Sequence, residues 1–415
     1  MLHKLNDERR TGTVTLTATP TRTASPEIQE ILDRIQAALP EISAEAKAGD
    51  TDRRLTDRSI EILRSAGALS ASTPRRHGGA EATVREMLEV STLLGTADAA
   101  AGWVAMLTNV CGWFAGLFSH QAQQDVFGDH PDAIVTGVLM PTSTSVRADG
   151  GYRITGKWYY NSGSWWSDWA VLGFPITDDA GEIVDQGLAL VPANDYRVED
   201  SWFISGMRGT ASNTIVVEDV FVPEHRVLFP PQAIEGRYAN ETYQDEPVHR
   251  SAFIPVAAAV LVGPSLGAAE TALQYVRGKA AVKGVSQTFF EKQSESTAVQ
   301  LQVARAAQLI EVARLLTFDV ADRIDRWGED GYYPVVAERA RVKANVGFIA
   351  ESLQQAIDLL VAAHGSGSFA DSNPLQRIWR DIHVGTSHAV VSPAIGYETY
   401  GKALLGDPTP ITPMV

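Results

Sequence analysis

Two histidines near the end of the chain, in RDIHVGTSHAVV (residues 380–391), are groups whose type and spacing could do chemistry. With Asp381, Thr386 and Ser387 beside them, three readings stand open: a metal site, a proton-handling site, or a capped helix with polar decoration. A metal needs convergent ligands. Read as one helix turning about 100° per residue, the five-residue step from His383 to His388 aims the two rings roughly 140° apart. Their spacing matches no metal motif, so no metal is expected. Asp381 lies on nearly the same face as His388 but two turns away, beyond direct hydrogen-bond reach. Any partner for His388 must therefore come from another part of the chain. An imidazole with a pKa near 6.5 suits proton exchange at neutral pH. A second stretch with chemical potential is GKWYYNSGSWWSDWAVLG (156–173). Cross-strand aromatic packing accounts for its Trp and Tyr residues but not for the NSGS between them. Gly163 would let the backbone approach a planar ligand, and Ser162 can both donate and accept a hydrogen bond there.

The chain that must position these groups has 415 residues, enough for two or three packed units. Its net charge of −15 argues against nucleic-acid or anionic-membrane partners, which need clustered Lys and Arg. The lone cysteine, Cys111, excludes an intrachain disulfide and reads as a small buried hydrophobe. No signal-like apolar core opens the chain and no polar-free stretch of membrane length follows, so a soluble cytoplasmic protein is expected. Residues 1–25 read as a Thr-rich mobile tail or an arm on a partner subunit.

Three zones follow. Residues 26–132 are helical in periodicity, opening at Pro26 after Ser25 and restarting at Thr56 with a stop at Gly67. Residues 133–246 hold apolar runs such as AIVTGVLM, YRITGKWYYNSG and NTIVVEDVFVP, bounded by Gly, Pro, Asn and Asp. They read as strands of a small barrel or sandwich, with RADGGYRI as a tight turn. Residues 247–415 return to helix and form a four-helix bundle.

The run GMRGTASNTIVVEDVFVPEHR (206–226) resembles the middle-domain signature of the acyl-CoA dehydrogenase superfamily, matching at Gly206, Arg208, Thr210, Thr214, Val217, Asp219, Val220, Val222 and Pro223. RGKA at Arg277, AAHGSGSF and NPLQRIWRD fall in the order of that superfamily, and the resemblance covers about residues 26–405. It implies a mainly α protein with a central β domain: an N-terminal helical domain, a middle β-barrel and a C-terminal four-helix bundle. In the superfamily's dehydrogenases a glutamate nine residues beyond the motif arginine removes the substrate proton. Here that position, counted from Arg380, is Ala389, which cannot. Glu270 and Glu398 lie away from it and are poor substitutes for a dehydrogenase or oxidase.

His388 one residue earlier, with Gly156, Trp158, Tyr160, Ser162 and Gly163, resembles the two-component flavin-dependent monooxygenases built on this fold. That resemblance implies an oxygenase component taking reduced flavin (FMNH2 or FADH2) from a separate NAD(P)H:flavin reductase. It would react with O2 through a C4a-hydroperoxide and oxygenate a small organic substrate. Ser162 would face flavin N5 or the peroxy group, His388 would be the acid–base residue, and Asn161 and Gly163 would meet the flavin edge. Asn109 would stand where relatives carry a further acid–base group, or serve as a satisfied helix polar group. His383 would support His388 or lie on the surface, and His364 would be structural. Arg277 and the turn of Gly365, Ser366 and Gly367 would hold the flavin phosphate across a subunit interface of a homotetramer, with Arg380 joining the cofactor contacts. Trp103, Trp113, Trp165, Trp166, Trp169 and Phe203 would suit a flat apolar substrate.

Overall fold

A computed structural model describes residues 23–415 apart from Asp179 and Gln244; the tail through residue 22 lies outside the described residues. The N-terminal helices are α1 (Pro26–Asp52), α2 (Asp57–Ala66), α3 (Val84–Gly95), α4 (Ala99–Ala115) and α5 (His120–Phe127). Local capping explains several of their ends. Thr56 accepts the Ser59 N–H and Gly67 closes α2 in the left-handed region. Thr83 and Glu86 form a reciprocal capping box on α3. Pro26 sits in the first turn of α1 as expected, but the Ser25 hydroxyl makes no cap bond.

The strands are β1 (Val135–Val138), β2 (Ser143–Ala148), β3 (Gly151–Asn161), β4 (Trp169–Thr177), β5 (Ile183–Pro192), β6 (Arg197–Glu199), β7 (Asn213–Pro223) and β8 (Val227–Leu228). They form two four-stranded sheets, β1-β4-β5-β8 and β2-β3-β7-β6, rather than one closed barrel wall. Ala148 pairs with Gly151 across the two-residue turn expected there. The sheets share a core of Tyr152, Ile154, Trp158, Leu172, Phe174, Val191 and Ile215. An irregularity between Trp158 and Asn161 breaks the β3–β7 register. Both Tyr159 and Tyr160 consequently face outward, the latter 73% exposed, while Asn161 turns in.

The remainder is α6 (Pro230–Ala233), α7 (Phe253–Ala259), α8 (Gly263–Ala280), α9 (Thr297–Glu329), α10 (Val336–His364), α11 (Pro374–Gly385) and α12 (Pro393–Leu405). The bundle departs from the expected four unbroken helices in two ways. A 3-10 turn over Val260–Val262 splits the first into α7 and α8, ahead of Pro264. A fifth helix, α12, packs along α10. The spans Phe253–Ala280 and Val336–His364 are apolar and long enough to cross a membrane, yet 89% and 61% of their apolar windows are covered by the rest of the chain. They act as core helices.

One correction bears on the site. RDIHVGTSHAVV is not a single helix: α11 stops at Gly385, and His388 caps a separate 3-10 turn, Ala389–Val391. The angular separation of the two histidines therefore does not follow from one helical wheel.

Candidate active site

The site lies where α4, the Asn161–Asn213 end of the β3–β7 pair and the end of α11 meet. α4 is a nearly all-apolar helix capped by Asp98, which accepts the Ala100 N–H at 3.2 Å, and it carries Trp103. The Trp103 indole N–H donates to Ser162 Oγ at 3.1 Å, and its ring centroid stands 6.1 Å from that of His388. One tryptophan thus brings together two of the residues picked out from sequence, Ser162 on the β domain and His388 on the bundle.

Behind Ser162 the hydroxyls continue. Ser162 Oγ is 2.7 Å from Ser212 Oγ, which is 2.6 Å from Thr210 Oγ1, and Thr210 donates to the Met207 carbonyl at 2.8 Å. The Gly163 N–H donates to Thr210 O at 2.9 Å and ties the two segments. α11 clamps the assembly from the other side. Its Arg377 pairs with Asp98 at 2.9 Å, holding the Trp103 helix, and its Asp381 accepts the Met207 N–H at 2.5 Å. Burial pushes the Asp381 carboxyl up to about 7 against the pull of Arg377. Gly206 is small by necessity, because a Cβ there would lie 2.3 Å from the Arg380 carbonyl oxygen.

His388 is exposed on its open side, yet the protein around it pushes its pKa below the ordinary histidine value. Its Nδ1 accepts the Val390 N–H at 3.3 Å, so the neutral ring carries its proton on Nε2. The arrangement is a neutral imidazole with its N–H on Nε2, beside Trp103 and, through the indole, linked to Ser162.

Beside Ser162, three buried polar atoms have no partner: both Asn161 amide atoms and Thr136 Oγ1. Buried polar groups are nearly always paired, so an orphaned amide and hydroxyl point to a polar ligand. Gly163 adds a left-handed turn (φ 76°), and a Cβ there would come within 3.5 Å of Thr136 and Val104. Planar ligands with alternating N–H, N and C=O edges, flavins among them, fit this donor and acceptor set.

Other sequence candidates are placed elsewhere. Asn109 is fully engaged: Oδ1 accepts the Ser72 N–H at 3.0 Å, and Nδ2 donates to Ala68 O and Ala105 O, each at 2.7 Å. It pins the segment after α2 to α4, with both amide hydrogens committed to backbone carbonyls. Arg380 forks onto Asp50 at 3.2 and 3.0 Å and bonds Gln376 and the Ser205 carbonyl, so within the chain it joins α11 to α1. His383 pairs with Asp358 at 3.0 Å, beside Trp379, and gives no support to His388. His364 is buried against Asn373 and Tyr275. Arg277 bonds only Gln274 at 3.2 Å among the described residues, and no hydrogen bond or ion pair among them joins it to the Gly365, Ser366 and Gly367 turn. Gly365 itself holds a backbone (φ 88°, ψ −173°) open essentially to glycine alone.

Of the six aromatics noted, Trp103 bonds Ser162 and lies beside His388. Trp113 packs with Phe114 and Phe253, and Phe203 stacks beneath Arg53. Glu270 is paired with Arg314, and Glu398 is exposed on α12. Cys111 is buried, its thiol pushed up to about 12. Cavities of about 300 and 310 Å³ lie elsewhere, lined by none of the site residues. Among the described residues one trio, Glu81, Glu246 and His249, has metal-ligand spacing, but Glu246 is already held by Arg76 and His249. Ser212 and Thr210 were missed as site residues, although both lie in the recognised signature.

Residues 258–393 match the family described as acyl-CoA dehydrogenase, C-terminal domain. The oxygenase subunit HsaA of a flavin-dependent monooxygenase from Rhodococcus jostii is 33% identical over 388 residues, 91% of this chain and 98% of that one. The chain belongs to the flavin-dependent monooxygenase oxygenase subunits. The oxygenase component of an FADH2-dependent resorcinol hydroxylase from Rhizobium is 30% identical over 390 residues, 91% of this chain and 94% of that one. XiaF from Streptomyces, solved with FADH2 and glycerol, superposes with a TM-score of 0.88 at 33% identity, covering 94% of this chain and 98% of that one. As such an oxygenase component, the chain acts with O2 on a small-molecule substrate and takes reduced flavin from a separate reductase.

Proposed function

We propose that this oxygenase component uses reduced FAD to hydroxylate an aromatic compound, with Ser162 meeting the flavin ring and His388 handling the proton. The observation that carries the reading is Trp103, which bonds Ser162 and packs near His388. FAD over FMN is favoured by the resorcinol hydroxylase and XiaF, each named with FADH2. An aromatic substrate is favoured by the resorcinol hydroxylase together with the indole of Trp103 beside His388.

When bound, the reduced flavin supplies the electrons that activate oxygen. The chain's residues do the remainder. Asn161 and Thr136 offer unpaired polar atoms to orient the ring. Trp103 lays an apolar face over the reacting region and keeps water out. His388 can donate a hydrogen bond from its Nε2–H to developing negative charge. Arg277, half-buried on α8 with only an amide partner among the described residues, and the exposed Ser366 and Gly367 are placed to share a phosphate between two copies of the chain, which favours a homo-oligomer, in this reading a cytoplasmic homotetramer.

The test supplies chemically reduced FAD or FMN, O2 and a panel of phenols and indoles to the purified chain. Hydroxylated product that tracks reduced FAD and displaces hydrogen peroxide formation is the expected result. Tightly held oxidised flavin that passes electrons from an acyl-thioester to a dye, with no oxygenated product, would overturn it.

A further inference from the structure

The line Trp103–Ser162–Ser212–Thr210–Met207 has a direction. A carbonyl has no hydrogen, so across the 2.8 Å contact Thr210 must donate to Met207 O. Thr210 has only that one hydrogen, so across 2.6 Å Ser212 donates to Thr210. By the same step, Ser162 donates to Ser212 across 2.7 Å. At the other end the indole of Trp103 is a donor only, and it fills one lone pair of Ser162. Ser162 is left with a single lone pair and no hydrogen to offer. Ser162, Ser212 and Thr210 are all buried, so no abundant water is at hand to reverse the order. Three non-glycine residues that flank the line, Tyr160, Met207 and Ala211, hold left-handed backbone, which places the hydroxyls at strained, well-defined positions.

We propose that this one-way chain makes Ser162 an obligate acceptor, and that Ser212 and Thr210 thereby make the site select reduced over oxidised flavin. The inference rests on the reading above that Ser162 meets the flavin ring. Reduced flavin carries a hydrogen on N5, whereas oxidised flavin presents a lone pair at the same atom. An acceptor-only serine satisfies the first and sets lone pair against lone pair with the second. For Ser162 to donate outward it would have to take its hydrogen from Ser212, leaving two buried oxygens close together with none between them. Ser212 and Thr210 are positioning residues in this scheme, acting only through Ser162. The device suits a protein that must capture its cofactor in one redox state and release it in the other.

The test is anaerobic equilibrium binding of FAD, oxidised and reduced, to the full chain and to variants. Ser212→Ala frees the Ser162 hydrogen to turn outward. The ratio of the oxidised to the reduced Kd should then fall about tenfold, the scale of one buried hydrogen bond. That corresponds to a drop of about 30 mV in the midpoint potential of bound FAD for a two-electron couple. Thr210→Val removes the anchor and should lower the ratio in the same direction, and it carries the test should Ser212→Ala not fold. Ser212→Thr keeps the hydroxyl and should restore the parental ratio. Ser162→Ala removes the acceptor and should weaken reduced FAD selectively. If Ser212→Ala and Thr210→Val keep the parental ratio while Ser162→Ala changes it, the directional chain is overturned and Ser162 still meets the flavin. If Ser162→Ala leaves both Kd values unchanged, the reading beneath the inference fails and the inference goes with it.

Discussion

His388→Asn separates what this side chain does for the fold from what it does for the reaction. The hydrogen bond it holds within the chain, from the Val390 N–H, is long at 3.3 Å, and asparagine is a good N-cap that can keep it. The ring is exposed on one side and only leans on Trp103 at 6.1 Å. The stability change should therefore stay below about 1 kcal/mol, a shift of a few degrees at most in Tm for a chain of this size. Loss of a positioned proton donor should cost about 10²–10⁴-fold in hydroxylation, which is about 2.7–5.5 kcal/mol of barrier. The assay supplies reduced FAD, O2 and an aromatic substrate, and measures hydroxylated product and hydrogen peroxide together. Oxygen uptake should persist while product falls and peroxide rises. The pH dependence gives a second handle. Burial holds the folded pKa below the ordinary histidine value of 6.5, so the unfolded chain binds more protons between the two pKa values. The stability linked to neutral His388 is thus complete above about pH 6.5 and declines as pH falls toward the folded pKa. Charging His388 puts a hydrogen on Nδ1 and breaks the Val390 contact that orients the ring, so hydroxylation by the parent should fall as pH drops toward the folded pKa, and the variant should lack that limb. Parental rate and coupling in His388→Asn would refute the assignment.

Three further outcomes follow from the placed residues. Asn109→Ala removes bonds to three backbone groups and should cost about 2–3 kcal/mol in denaturant unfolding, while the product-to-peroxide ratio of the folded fraction stays parental. Arg380→Ala leaves Asp50 without its fork and should lower stability by about 1–3 kcal/mol, with the Kd for reduced FAD unchanged by titration. Asp381, raised to about 7 by burial, holds a proton that the unfolded chain releases near pH 4, so folding stability should decline as pH rises through about 7. Asp381→Asn keeps an oxygen for the Met207 N–H and should flatten that decline in unfolding curves taken between pH 5 and about 9.

Much of this architecture is legible because it is written locally. The Thr56 cap, the Gly67 stop and the strand signature from Gly206 to Arg226 each depend on neighbours within a few residues. Ser162 and Gly163 could be picked out because NSGS has no packing explanation inside an aromatic strand pair. What the sequence does not show shares one physical cause: the partners are remote along the chain. Asn109 stands on an apolar helix, and only the fold brings Ala68 O and the Ser72 N–H, 41 and 37 residues away, onto its amide. Arg380 reads as a spare cation until α1 supplies Asp50 from 330 residues away. The end of α11 was hidden for the same reason. Gly385 does not stop the helix through a left-handed turn; it sits where a Cβ would lie 2.8 Å from Met207 Cε and 3.3 Å from the Trp103 ring. Crowding against two distant elements marks the point where the helix ends and the chain turns to carry His388.

That crowding also explains why the site is built at a junction. Left-handed backbone at non-glycine residues costs on the order of 1–3 kcal/mol each and persists only when its surroundings over-determine it. Tyr160, Met207 and Ala211 are three of seven such residues in the described chain, and all three flank the hydroxyl line. Met207 shows how the cost is met. Its N–H is taken by Asp381 of α11 at 2.5 Å, and its carbonyl receives the Trp202 indole at 2.9 Å and the Thr210 hydroxyl at 2.8 Å. No single strand or helix could impose that conformation, because its restraints come from the bundle and from the β domain at once. The same two bodies meet again at Trp103, held by α4, whose cap Asp98 is paired to α11 through Arg377. One helix therefore fixes both ends of the hydroxyl line and, three residues past its own end, delivers His388. Loosening α11 from either body should blur the direction of that line before it unfolds the chain.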